Sequence, residues 1–222
     1  MPLTFGLLVV PGVTTDKWSR LWAERQRAQL RLVPSEAAEA AELLLSGQVD
    51  AGLVRLPVDQ EAFHAIPLYT ETTVVVVPRD HLISAAEEVT LADLADQTLV
   101  IPADDVLAWT ELPAAVLDHH PSTTAAAVEL VAASVGVLVV PQSLARLYHR
   151  RDLTYRPLTG APTSSVALAW PRDGHTELVE EMIGIVRGRT ANSTRGQAGG
   201  GAAREKPTRE KPAPKGKPRR GR

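Results

Sequence analysis

From residue 3 to residue 54, short apolar runs alternate with stretches of helical periodicity, and this order constrains the fold more than any other feature of the chain. Residues 3–10 form an apolar run closed by Pro11-Gly12. The spacing then predicts an amphipathic helix opening at Thr14-Thr15-Asp16, with Trp18, Leu21, Trp22 and Arg25 on one face and the two tryptophans packing into a core. Leu30 and Leu32 alternate around Arg31 as in a half-buried strand, and Ser35 offers a cap for a helix over residues 36–45 that Gly47 ends. Residues 50–54 read as a buried strand. Strand, helix and strand in succession require crossovers, which are right-handed in parallel sheets, so a β-α-β-α-β unit is predicted. Ligands of such sheets bind at the carboxyl ends of the strands.

A second unit follows. Four consecutive valines at 74–77, ended by Pro78, suit a strand covered on both faces. Thr90 caps a short predicted helix over 91–95, residues 98–101 form another buried strand before Pro102, and 108–120 is weakly helical around Pro113. An alanine-rich helix is predicted over 123–133, a strand over 137–140, and a helix that Pro141 opens and that runs to Leu147. Strands over 153–157 and 166–170 and a helix over 175–186 complete the periodic part.

Charge divides the chain where this periodicity stops. Of the 24 Lys and Arg, 12 lie from Arg187 onward against only Glu205 and Glu210, which leaves 12 basic and 24 acidic residues before it. The last segment is dominated by Gly, Pro, Lys and Arg and repeats Arg-Glu-Lys-Pro, so it cannot bury the apolar area that would offset its ordering entropy. It is expected to be a disordered basic tail over 188–222. The body has ample apolar content, 44% of the whole chain, for a folded core. There is no cysteine, which removes disulfides, thiolate metal sites and cysteine nucleophiles and suits a reducing cytoplasm. The first apolar run is too short to span a membrane and lacks a basic leader, so a cytoplasmic location without membrane contact is expected.

Three segments together resemble the effector-binding domain of LysR-type transcriptional regulators over about residues 2–187. Leu43-Leu44-Leu45-Ser46-Gly47-Gln48-Val49-Asp50 is similar to the family's passage from helix to strand. Ile66-Pro67-Leu68-Tyr69-Thr70-Glu71 followed by the valines and Pro78-Arg79-Asp80-His81 resembles its crossover between lobes, with Leu82 where a proline is usual. The stretch from Leu130 through Ser134-Val135-Gly136 to Pro141-Gln142-Ser143-Leu144 resembles its second-lobe helix, turn and strand, with Ser134 where a glycine is usual. The resemblance implies an α/β fold of the type 2 periplasmic-binding-protein kind: two Rossmann-like lobes joined by two crossover strands, with a ligand cleft between them. One lobe would comprise about 2–70 and 164–187 and the other about 71–163, together an effector-binding domain over 1–187. Met1 leads straight into the first strand, so the family's winged helix-turn-helix is expected to be absent.

The candidate site residues follow. Thr14 and Thr15 precede a helix whose free N–H groups suit an anion, a role compatible with ordinary capping. Ser35 stands in the same arrangement, and the resemblance places a ligand contact there. Arg55 follows the third strand and is either an anion-pairing group or a solvated arginine. The resemblance alone adds Ile101, Pro102, Ser134, Val135 and Gly136 as cleft-facing. His119-His120 have no third ligand at metal spacing. Asp104-Asp105 and Glu87-Glu88 read as solvated acidic faces. No P-loop, nucleophile elbow or dinucleotide fingerprint is present, so neither an enzyme nor a cofactor is expected. The expected function is therefore a non-catalytic, homodimeric sensor of a small, anionic metabolite in transcriptional regulation, with the Trp18 to Arg25 helix in the dimer contact. The alternative is a DNA-associated protein acting through the tail, where Lys215, Lys217, Arg219, Arg220 and Arg222 resemble a degenerate AT-hook with Lys217 in place of the core arginine. A transporter's solute receptor shares the fold but would need export.

Overall fold

The computed structural model describes residues 3–189; Gly188 and Arg189, the first two residues of the expected tail, are bonded to the folded part, and the rest of the tail with its five basic candidates lies outside the described residues. β1 (Thr4–Val9), α1 (Asp16–Arg25), β2 (Gln29–Pro34), α2 (Ala40–Leu45) and β3 (Ala51–Arg55) realise the alternation read from the sequence, and β4 (Phe63–Glu71) follows. β5 (Thr73–Pro78), the two-residue strands β6 (Val89–Thr90), β7 (Thr98–Leu99) and β8 (Ala115–Val116), α3 (Thr124–Ala132), β9 (Leu138–Pro141), α4 (Gln142–Leu147) and β10 (Leu153–Thr159) build the second lobe. β11 (Ser164–Pro171) and α5 (Glu177–Val186) return to the first.

In the first lobe β2 and β3 run parallel to β1 on either side of it, while β11 lies antiparallel between β3 and β4. The period of two along each strand divides the core. Phe5, Leu7, Leu53 and Leu168 face α1 and α5 with Trp22, whereas Leu8, Val54 and Ala169 face α2 with Leu44. The second lobe has the order β6-β10-β5-β9. Its valine strand is covered on both sides, as its composition predicts: Val74 and Val76 pack on α3 and α4, and Val75 and Val77 pack on Leu94, Leu99 and Leu158. The chain crosses between lobes at Thr72 and again between Thr159 and Ser164. The two crossings touch, because the Thr73 hydroxyl donates to the Pro162 carbonyl at 2.6 Å.

Three elements differ from expectation. α2 starts at Ala40, because the Ser35 N–H bonds the Val9 carbonyl and residues 36–39 close a tight turn, Glu39 N–H to the Glu36 carbonyl at 3.1 Å. The strand expected over 98–101 stops at Leu99, after which the Val100 N–H bonds the Val137 carbonyl. Residues 108–120 form no helix: Pro113 lacks a donor, and Trp109, Ala114 and Leu117 pack into the two cores while β8 pairs with β7. Among the described residues no helix is long and apolar enough to cross a membrane.

Candidate functional site

Because β1, β2 and β3 are parallel, Pro11, the turn at Glu36 and Arg55 all emerge at one edge of the first sheet. Together with Ala37 and Ala38 they form one wall of a cavity of about 200 Å³. The facing wall comes from the second lobe. It consists of Ala103, Asp104, Asp105 and Val106 from the loop after β7, Thr124 at the start of α3, Leu144 within α4 and Tyr148 just after it.

Arg55 is neither solvated nor free. Its side chain is 5% exposed and paired with Glu71, itself 7% exposed. Nη1 also donates to Ser164 Oγ at 2.9 Å, and Nη2 to the Pro11 carbonyl at 3.1 Å and to Ser143 Oγ at 3.3 Å. Ser143 belongs to α4, so this guanidinium spans the two lobes. Removing one partner of such a buried pair leaves the other desolvated without compensation.

Asp104 fills the start of α3. Its carboxylate accepts from the Thr124 N–H and the Thr124 hydroxyl, both at 2.9 Å, and Thr123 Oγ1 accepts from the Ala126 N–H. Two of the free donors of that helix end, the N–H groups of Thr124 and Ala126, are thus met by the chain itself, and the Asp104 charge repels an anion there. Asp105 accepts from the Leu107 N–H at 3.0 Å. Burial pushes its carboxyl above the ordinary range, opposed by the backbone N–H groups of Leu107 and Val106. Burial likewise raises the Tyr148 phenol, with a further push from the charges of Glu36 and Asp104. Those two carboxylates therefore act on one ring from opposite lobes.

A second crevice, about 480 Å³, lies on the other side of Glu71 and brings Gly12, Val13 and Thr14 near Ser143, Arg146 and Leu147. Thr15 occupies the cap position of α1, but its side chain makes no capping bond. Ser35 is buried beside the first cavity, with its hydroxyl on the Glu36 carbonyl. Ile101 and Pro102 line a small void of about 10 Å³ behind Asp105 and so back the wall rather than form it. Ser134, Val135 and Gly136 are not at the cavity. They follow the last turn of α3, a helix of nine residues, about 13 Å long, that begins at Thr124. Ser134 turns the chain with φ 58°, and a Cβ at Gly136 would stand 2.4 Å from the Thr98 carbonyl, so this turn serves the packing of β9 on β7.

Reading the sequence alone missed Glu36, Glu71, Asp104, Asp105, Ser143, Tyr148 and Ser164. Asp104 and Asp105, read as a solvated face, lie just beyond the carboxyl end of a predicted strand, which was the available signal. The rest depend on long-range contacts. Among the described residues no cluster of His, Asp and Glu is placed to hold a metal.

The family model for the LysR substrate binding domain matches residues 16–191. The HTH-type transcriptional regulator CatR of Pseudomonas putida is 30% identical over 175 residues, 73% of this chain and 60% of that protein. The HTH-type transcriptional regulator AlsR of Bacillus subtilis (strain 168) is 26% identical over 172 residues, 72% of this chain and 55% of that protein. The chain thus spans little more than half the length of these relatives. Among solved structures, the oxidized form of OxyR matches with a TM-score of 0.70 and 21% identity, covering 85% of this chain and 96% of that one. The BenM effector-binding domain with its effector benzoate matches with a TM-score of 0.68 and 20% identity, covering 84% and 94%.

Proposed function

Because this chain belongs to the LysR substrate-binding domain family, we propose that it is a non-catalytic sensing domain of transcriptional regulation whose small-molecule effector occupies the cavity between Arg55 and Tyr148. The observation that carries this is a cavity with one wall from each lobe, set at the carboxyl ends of three parallel strands. A ligand touching both walls binds one arrangement of the lobes better than another, and that difference is the signal. The sensing unit on this reading is residues 1–187, lobes about 2–70 with 164–187 and about 71–163, in a cytoplasmic homodimer that α1 helps to form.

The expectation of an anionic effector rests on Arg55 and on the helix starts after Thr15 and Ser35. In the folded chain Glu71 meets the charge of Arg55 and α2 starts later, so an anion would rely on the second crevice, where Thr14, Tyr69 and Ser143 carry hydroxyls and Arg146 is exposed.

Thermal-shift screening of small polar metabolites, followed by calorimetry, tests the proposal. The effector found should bind the native protein and be lost from Ala38→Trp, which fills the cavity from an exposed position. An effector that binds this variant unchanged would place the site elsewhere.

A further inference from the structure

The charges around the cavity bear on what it can hold. We propose that the cavity takes a small organic cation, an amine or a guanidinium compound, gripped between Glu36 of the first lobe and Asp105 of the second, with its charge against the Tyr148 ring. This rests on the reading that the cavity is the effector site.

The two features that would recruit an anion are both occupied from within. Glu71 pairs with Arg55, and Asp104 sits on the first turn of α3. What remains facing the space is acidic. Among the described residues neither Glu36 nor Asp105 has a Lys, Arg or His partner within ion-pair distance. Asp105 is a partly desolvated carboxylate held by the backbone N–H groups of Leu107 and Val106 and by the Trp109 side chain, none of them charged, and a ligand cation would supply the missing counter-charge. Tyr148, which lines the same cavity as Glu36 and Asp104, offers an aromatic ring whose quadrupole attracts a cation.

Charge also gives the ligand a way to act. Carboxylates on facing walls repel one another as the lobes approach, and a cation between them turns that repulsion into attraction. Its contacts are then stronger in the closed arrangement, which is what a ligand must provide to shift an equilibrium. The size follows from the space. About 200 Å³ is below the roughly 300–1,000 Å³ of drug-sized ligand pockets, which selects compounds of few heavy atoms.

Three four-carbon probes that differ in charge provide the test: 1,4-diaminobutane, butane-1,4-diol and succinate, titrated calorimetrically into the full chain. The diamine should bind, with the diol and succinate weaker by about tenfold or more, the loss expected for removing a charge-assisted hydrogen bond. Glu36→Gln and Asp105→Asn should each weaken the diamine by a similar factor. Glu36→Lys, at an exposed position that tolerates the change, should reverse the order of diamine and succinate. No diamine binding at millimolar concentration, tighter binding of succinate to the native chain, or a diamine affinity indifferent to all three substitutions overturns the proposal. Succinate that binds the native chain and is lost in Ala38→Trp would end the assignment of a cation while sparing the cavity. Diamine binding untouched by Ala38→Trp would end both.

Discussion

At Arg55 a single side chain sets both the stability and the geometry of the site. Replacing it with Ala strands Glu71 in a dry setting, and the expected cost is about 3–5 kcal/mol in urea unfolding. The double substitution Arg55→Met with Glu71→Met should recover much of that loss, because the paired charges offset their own desolvation only in part. A double variant no more stable than the single one would contradict this account. Asp105 makes the opposite contribution. Its carboxyl is raised by burial, and a raised group adds stability below its unfolded pKa and loses it as pH rises through the folded value. At neutral pH the ionised form is therefore a burden. Asp105→Asn should melt higher than the native chain at neutral pH, with the difference closing as pH falls through the carboxylate range. A difference independent of pH would show that the charge is not its source. Sequence reading placed Arg55 because strand ends are local features, but it could not pair it. Glu71 and Ser164 are 16 and 109 residues away, and no periodicity records such a meeting.

Helices whose caps lie in the local sequence were legible nearly to the residue. α3 and α5 start just after Thr123 and Thr176, whose hydroxyls accept from the N–H three positions on. α2 was not, because the bond that takes the Ser35 N–H comes from β1, 26 residues earlier. The same contrast governs α3 once folded. Asp104→Ala removes two bonds to Thr124 while leaving the cap at Thr123, so a loss of about 0.5–2 kcal/mol is expected by thermal or chemical unfolding. Leu82 offers an element-level gain. It opens a short 3₁₀ turn, Leu82–Ala85, is 91% exposed, and follows His81 at ψ 144°, a conformation that suits the residue before proline. Leu82→Pro should stabilise the chain by about 0.4–1 kcal/mol by restricting the unfolded state. A lower melting temperature would refute the fit.

The molecule as a whole owes its two-lobed plan to patterns the sequence displays openly, β/α alternation first and a doubly buried valine strand after it. Its cleft was harder to read, since facing walls come from segments that no local rule connects. Ending the chain after Arg189 keeps the Arg189 carbonyl on Arg25 and its side chain on Glu180. That shortened protein should melt like the full chain and bind the same effector. If the full chain retards DNA in a gel and the shortened one does not, with an effect that fades steeply as salt rises, the basic tail has a role of its own. The bond from Thr73 to Pro162 fixes the two inter-lobe connections side by side, which leaves the halves one line about which to pivot. A change in one angle is the movement expected of such a hinge, and one spectroscopic distance across the cleft, measured with and without effector, tests it. A chain without native cysteine accepts two engineered thiols for spin labels with no background to remove, so that distance can be read in the protein as it stands.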